Sequence, residues 1–291
     1  LETTGDLRID NKSVPYEPGS DDFSFFVNPY FCEVYLDSLI LNNLRPNNTF
    51  EIRGFLYVWD PTVNTRGAYV VWDRAMSMND NPSSDVNGFI QPGQAFFVQN
   101  NSTSIGETFD FTESLRDNTN PQTTVFSTEP ISALNIMLHA QVDGNYIVAD
   151  ASRLIFSNDY NDNATVEDAL SLPNIDETLG IYQGMSLLTI DKRPEPQNEK
   201  VLPLHISNYR QTNYELSFTK QSTQAEVVLE DTYLETITTI NDGEVYTFSI
   251  DPNIPESTMN NRFNLIFNPT TLSNEDFDEA KIPPFAFKFF S

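Results

Sequence analysis

Two histidines, one cysteine and 42 carboxylates are the stock from which this 291-residue chain could assemble acid–base, nucleophilic or metal chemistry. His139 stands between Leu138 and Ala140, and His205 between Leu204 and Ile206. Each falls on the strand face opposite its apolar neighbours. A serine hydrolase needs a base within hydrogen-bond reach of a positioned serine, and no Gly-x-Ser-x-Gly elbow is present to position one. No histidine-based active site is expected. Cys32 is the sole cysteine, so no internal disulfide forms. Its neighbours Phe31 and Val34 make it a small packed thiol rather than a nucleophile. Glycoside hydrolysis needs only two carboxylates at a fixed separation. The acids are scattered in turns and on polar strand faces, so no pair is singled out, and a glycoside hydrolase stays an alternative to a non-catalytic chain.

The densest acidic segment runs from Asn158 to Asp168. Read as an EF-hand loop from Asp159, it places Asn161 and Asn163 correctly. It then fails at the required glycine, which is Ala164, and at the bidentate acid, which is Leu170. A looser Ca²⁺ site from Asp159, Asp162 and Asp168 is the remaining metal expectation. The plainer reading, an Asn/Asp-rich loop closed by Asx turns, is preferred. For binding, aromatic faces that stack on sugar rings matter most. Trp72 and Tyr160 are the candidates, whereas Trp59 alternates with Phe55 and Tyr57 and is expected in the core.

The elements that must position these residues are strands. Phe, Tyr and Trp number 22, 12 and 2, a supply of large rings suited to pleated, half-buried surfaces and foreign to disordered acidic chains. Period-two alternation recurs in Phe55-Tyr57-Trp59, Phe96-Val98, Phe109-Phe111, Leu134 to Val142, Leu202-Leu204-Ile206, Tyr214-Leu216-Phe218, Tyr246-Phe248-Ile250 and Phe263-Leu265-Phe267. Turn signals such as Pro92-Gly93 and Asn241-Asp242-Gly243 separate several of them. The only helical turn expected lies around Val166 to Leu170. Residues 112–130 are polar and proline-punctuated and read as a connection. The expectation is an all-β chain of two tandem, jelly-roll-like β-sandwich lobes with little helix: 1–128, 129–270, and a tail at 271–291. A net charge of −26 repels phosphate, which argues against nucleic acid and anionic membranes as partners. No run of 18 apolar residues exists to span a bilayer.

In order along the chain stand Asn28-Pro29-Tyr30, Leu56-Tyr57-Val58-Trp59-Asp60-Pro61, Ala68-Tyr69, Ile90-Gln91-Pro92-Gly93-Gln94-Ala95-Phe96-Phe97-Val98 and Phe109-Asp110-Phe111-Thr112-Glu113-Ser114. Further on come Ser152-Arg153-Leu154-Ile155-Phe156, Leu187-Leu188-Thr189-Ile190, Leu202-Pro203-Leu204 and Arg262-Phe263-Asn264-Leu265-Ile266-Phe267. This ordered set resembles the β-rich region that precedes the C-terminal sorting domain in proteins exported by the Bacteroidetes type IX secretion system. Val27 replaces that family's usual glycine, and Lys281-Ile282-Pro283-Pro284 lacks its Tyr/Phe-Pro-Asn-Pro opening, so the sorting domain is expected to be cleaved, absent or further on. The resemblance implies an extracellular or cell-surface location. It implies the secretion machinery and a surface anchor or polymer as partners, and a structural or adhesive role without catalytic residues. Within it, Asp37-Ser38-Leu39 is similar to the O-glycosylation pattern of such exported proteins, with Ser38 as acceptor. A carbohydrate-binding module is the second expectation.

Overall fold

The computed structural model describes residues 10–17, 23–43, 52–100, 107–115 and 131–270. The tail at 271–291 and residues 116–130 of the connection expected at 112–130 lie outside the described residues. The first half holds β1 (Lys12–Pro15), β2 (Phe23–Val27), β3 (Val34–Tyr35), helix α1 (Leu36–Asn42), β4 (Phe55–Asp60), β5 (Ala68–Asp73), β6 (Met78–Asn79), β7 (Phe89–Ile90), β8 (Ala95–Gln99) and β9 (Thr108–Phe111). The second half holds β10 (Ser132–Val142), β11 (Asn145–Phe156), β12 (Ala169–Leu170), β13 (Thr178–Gln183), β14 (Ser186–Arg193), β15 (Lys200–Ser207), β16 (Asn213–Gln221), β17 (Val227–Asp231), β18 (Thr236–Thr239), β19 (Val245–Ser249) and β20 (Phe263–Phe267). The chain is all-β with little helix, and each alternating segment named above forms a strand. The helix is not where it was expected. Around Val166 the chain makes a turn that leads into β12, while α1 buries Leu36, Leu39 and Ile40 at helical spacing.

In the first half, strands pair in the order β2-β8-β4-β5-β6. One face carries Phe26, Leu56, Val58, Phe96 and Val98 into a core closed by α1 and by the β1–β9 ribbon. Phe26 stacks on Phe109 at 4.4 Å between ring centres. In the second half, one antiparallel path runs β18-β17-β20-β15-β13-β14-β11-β10-β16-β19, interrupted by a parallel β11–β14 pair. The sheet curls nearly shut like a barrel, so its opposite walls share one apolar interior. Phe248 near one end of the path meets Phe263 near the other at 4.8 Å. Asp231 of β17 takes a two-point ion pair from Arg262, with Nη2 at 2.6 Å, and accepts the Tyr246 hydroxyl of β19 at 2.9 Å.

The two halves also meet. Phe55, Tyr57 and Val71, on the second face of the first sheet, pack on Ile155, Ala169 and Ile190. Covered on both faces there, β11 and β14 lose alternation and are buried almost continuously over residues 149–156 and 188–193. Among the described residues no helix is long and apolar enough to cross a membrane.

Candidate functional site

β4 points Phe55, Tyr57 and Trp59 to one side of its sheet. The second half covers the first two, and its cover stops before the third. Trp59 is therefore half-buried at the rim rather than in the core where its alternation had placed it. Its ring meets Tyr69 edge-on at 5.0 Å, Tyr69 meets Phe97 at 6.0 Å, and Phe97 meets Phe25 at 4.9 Å. Cross-strand registry produces this run, because Trp59 opposes Tyr69 and Phe97 opposes Phe25. Phe25 is 53% exposed on edge strand β2. Four rings thus form a strip along the sheet face.

Gly67 holds the outer end of this strip. It sits at φ +91° against the indole of Trp59, where a Cβ would overlap the ring nitrogen. Beyond the indole lies an open groove of about 220 Å³, lined by Trp59, Asp60, Asp85, Asn87, Phe89 and Gln94 among others. This is smaller than the ~300–1,000 Å³ of enclosed ligand pockets, so it admits a single ring or side chain. The loops around it are fixed by their own hydrogen bonds. Gln94 Oε1 accepts the Gln91 amide at 2.7 Å, and Asn87 Oδ1 accepts the Phe89 amide at 2.9 Å. These carboxamides have their oxygens engaged with backbone, and their NH₂ groups supply further donor capacity.

Asp60 is the buried acid of the groove. It accepts the Thr62 amide and hydroxyl at 2.8 and 2.6 Å and the Ser84 hydroxyl at 2.5 Å. Burial works against its ionisation, but these hydroxyl and amide donors outweigh it and hold the carboxyl below its usual range. With its carboxyl held below the usual range by three donors, Asp60 suits a loop clamp and not the protonated partner of a glycosidase pair.

The residues singled out from sequence are dispersed. Trp72 faces the opposite side of β5, where it packs against the first core and beside Gly88. Tyr160 packs against the cluster joining the two halves, with Lys192 Nζ 5.7 Å from its ring centre. Ser38 lies half-buried on α1, next to an Asp37 that pairs with Arg74. The acidic-loop carboxylates are not brought together. Asp168 is buried and accepts the Thr165 and Lys192 amides at 2.6 and 2.7 Å, and burial lifts its carboxyl to about 6. Asp162 pairs with Arg193 at 3.1 Å and Lys200 at 2.7 Å, while Asp159 is exposed. Among the described residues no three His, Cys, Asp or Glu side chains are grouped to hold a metal. His139 is on β10 and His205 on β15, four strands apart along the sheet path. His205 is nearly buried rather than outward-facing, against Tyr182 and with Nε2 2.9 Å from Ser207 Oγ. Burial lowers the pKa of both imidazoles.

A second polar cluster lies between the halves. Lys192 Nζ meets Asp73 at 2.7 Å, with both groups buried. Asp80 accepts the Val71 amide at 2.9 Å and the Thr189 hydroxyl at 2.6 Å, and burial raises its carboxyl to about 6. Asp150 accepts the Ala151 and Leu179 amides at 2.9 and 2.6 Å, and burial lifts it well above the usual range. These groups are spent on backbone and on each other across the seam, which is a structural use.

No protein-family model, curated protein or solved structure matches this chain. Its function is therefore argued from the aromatic strip and its groove. Sequence reasoning missed Phe25 and Phe97 because a ring at the rim of a partly covered sheet face has the same period as a core ring. Phe25 on a short strand with Val27, also exposed, gave the only hint.

Proposed function

We propose that the chain is a non-catalytic adhesive module of a secreted or cell-surface protein, exported by the type IX route, and that it makes contact through the strip Phe25-Phe97-Tyr69-Trp59. The strip carries this reading. Phe25 and its neighbour Val27 are exposed at one end, and the half-buried rings of Phe97, Tyr69 and Trp59 continue from them. Exposed apolar side chains grouped in this way mark interaction surfaces, and rings of low conformational freedom supply contact energy at little entropic cost. The motif order supports export and a surface location. The secretion machinery would be the partner during export, and a surface anchor or polymer afterwards. The acidic field disfavours nucleic acid and anionic lipid as alternatives.

Two measurements test the proposal. In a Bacteroidetes host, the full reading frame should reach the medium or cell surface only while the outer-membrane type IX translocon is intact. The purified chain should attach saturably to such cells or their matrix, and Phe25→Ser should weaken attachment about tenfold, as loss of an aromatic anchor does. Translocon-independent release would end the export reading. Attachment indifferent to Phe25→Ser would end the adhesive one.

A further inference from the structure

We infer that the groove at Trp59 is a subsite for one ring of an uncharged polysaccharide, with the strip Tyr69-Phe97-Phe25 taking the rings that follow. This rests on the adhesive reading and names its ligand class. Three observations converge on it. The groove holds about 220 Å³ and is open to solvent, so it suits a single pyranose in a longer polymer rather than an enclosed small molecule. An indole fixed in place by Gly67 and Tyr69 offers a flat apolar wall, and C–H faces of a sugar ring match such a wall. Around that wall stand the carboxamides of Asn87, Gln91 and Gln94, with Asp85 exposed beside them, which is the donor and acceptor mixture that fixes hydroxyls.

Charge selects among polysaccharides. The groove holds Asp60 ionised and Asp85 exposed, Gln91 Nε2 is bonded to Glu33 at 2.8 Å, and the chain carries −26. Among the described residues none that lines the groove is cationic. Uronate and sulfated chains are repelled by such a site, whereas hydroxyl-only chains meet carboxylates as acceptors. A peptide side chain or a second copy of this chain would also fit by size, and each is an outcome of the test.

The experiment uses the whole chain carrying Trp72→Phe, which leaves Trp59 as its one indole. Dextran, laminarin, xyloglucan and soluble mannan are the neutral probes, and polygalacturonate and heparin the acidic ones. The expected result is a saturable change in Trp59 emission with at least one neutral polymer and none with the acidic pair. Trp59→Ala should abolish retention of the chain in affinity gels containing that polymer, and Trp59→Phe should restore part of it. Asp85→Ala, which removes an exposed side chain of the groove, should weaken retention about tenfold without a shift in the melting temperature, which separates loss of contact from misfolding. No response to any neutral polymer, binding that survives both Trp59→Ala and Asp85→Ala, or preference for the polyanions would overturn the inference. So would a dimer in solution that dissociates in the Phe25→Ser chain. If the chain attaches to cells through Phe25 while every neutral polymer fails, the adhesive reading stands and the glycan assignment falls. If cell attachment fails as well, both fall.

Discussion

Arg262 shows how much a single side chain can hold in this molecule. Its guanidinium is 1% exposed and gives two hydrogen bonds to Asp231, one to the Ser249 carbonyl and one to the Ser257 carbonyl, under the rings of Tyr233, Phe248 and Phe263. Four donors reach β17, β19 and the turn before β20 at once. Truncation of one partner strands a buried charge. Arg262→Met is therefore expected to destabilise the fold by about 3–5 kcal/mol, read from the urea midpoint at unchanged slope. Arg262→Lys, which keeps a cation beside Asp231, should lose less than Arg262→Met, and a Lys variant no better than the Met one would contradict this account. Gly67 is the second residue whose replacement has a defined outcome. Gly67→Ala forces a Cβ into the Trp59 indole at a positive φ, at a cost of about 1–3 kcal/mol. Its tryptophan emission should also shift, since the ring must move; an unchanged spectrum would mean the indole is not held there.

At the scale of elements, alternation was the legible signal and its failures have physical causes. Strands β10, β15, β16, β19 and β20 each cover one face of a core and leave the other to polar groups, so period two survives in their sequences. β11 is sandwiched between the curled sheet and the first half, so Ala149 to Phe156 are all buried and the period disappears. Helix α1 is only seven residues, too short to override the strand-like run of Val34 and Tyr35 before it. The site was legible only in part for the same reason. Trp59 has the spacing of a core residue, and whether the second half reaches far enough to cover it is a fact of packing, invisible along the chain. Amide hydrogen exchange follows from this layout. The amides of β11 and β14, central in the sheet and covered on both sides, are expected to be the slowest, and those of edge strands β18 and β2 among the fastest. Faster exchange in β14 than in β18 would mean the two halves separate readily.

For the whole molecule, buried carboxylates set an unusual dependence on pH. Asp80 and Asp168 titrate at about 6 in the fold and near 3.9 in an unfolded chain. Asp150 is raised in the same direction. Between about pH 4 and 6 the folded state therefore binds more protons than the unfolded one, so stability falls as pH rises through that window. Acidification from pH 7 to 5 should raise the melting temperature, with a stability gain on the order of 1 kcal/mol per buried group. It also relieves the repulsion of a −26 chain. Below about pH 4 the sign reverses. Asp60, Asp176 and Asp231 have folded values below the usual range, and the stability they contribute is lost as they protonate. Scanning calorimetry from pH 3 to 8 should find a maximum near pH 5, and Asp80→Asn should flatten the rise between 7 and 5. A melting temperature that declines steadily from pH 7 downward would refute this.

The face of the first sheet that bears Phe55, Tyr57 and Val71 has consequences during synthesis. These residues leave the ribosome well before Ile155, Ala169 and Ile190, the side chains that will shield them. For that interval the nascent protein displays a wet aromatic surface with nothing to lie against. Capture by a holdase until β14 has been made is the expected consequence. By the same reasoning, either half produced alone should clump, while the two mixed together as separate polypeptides should rescue one another.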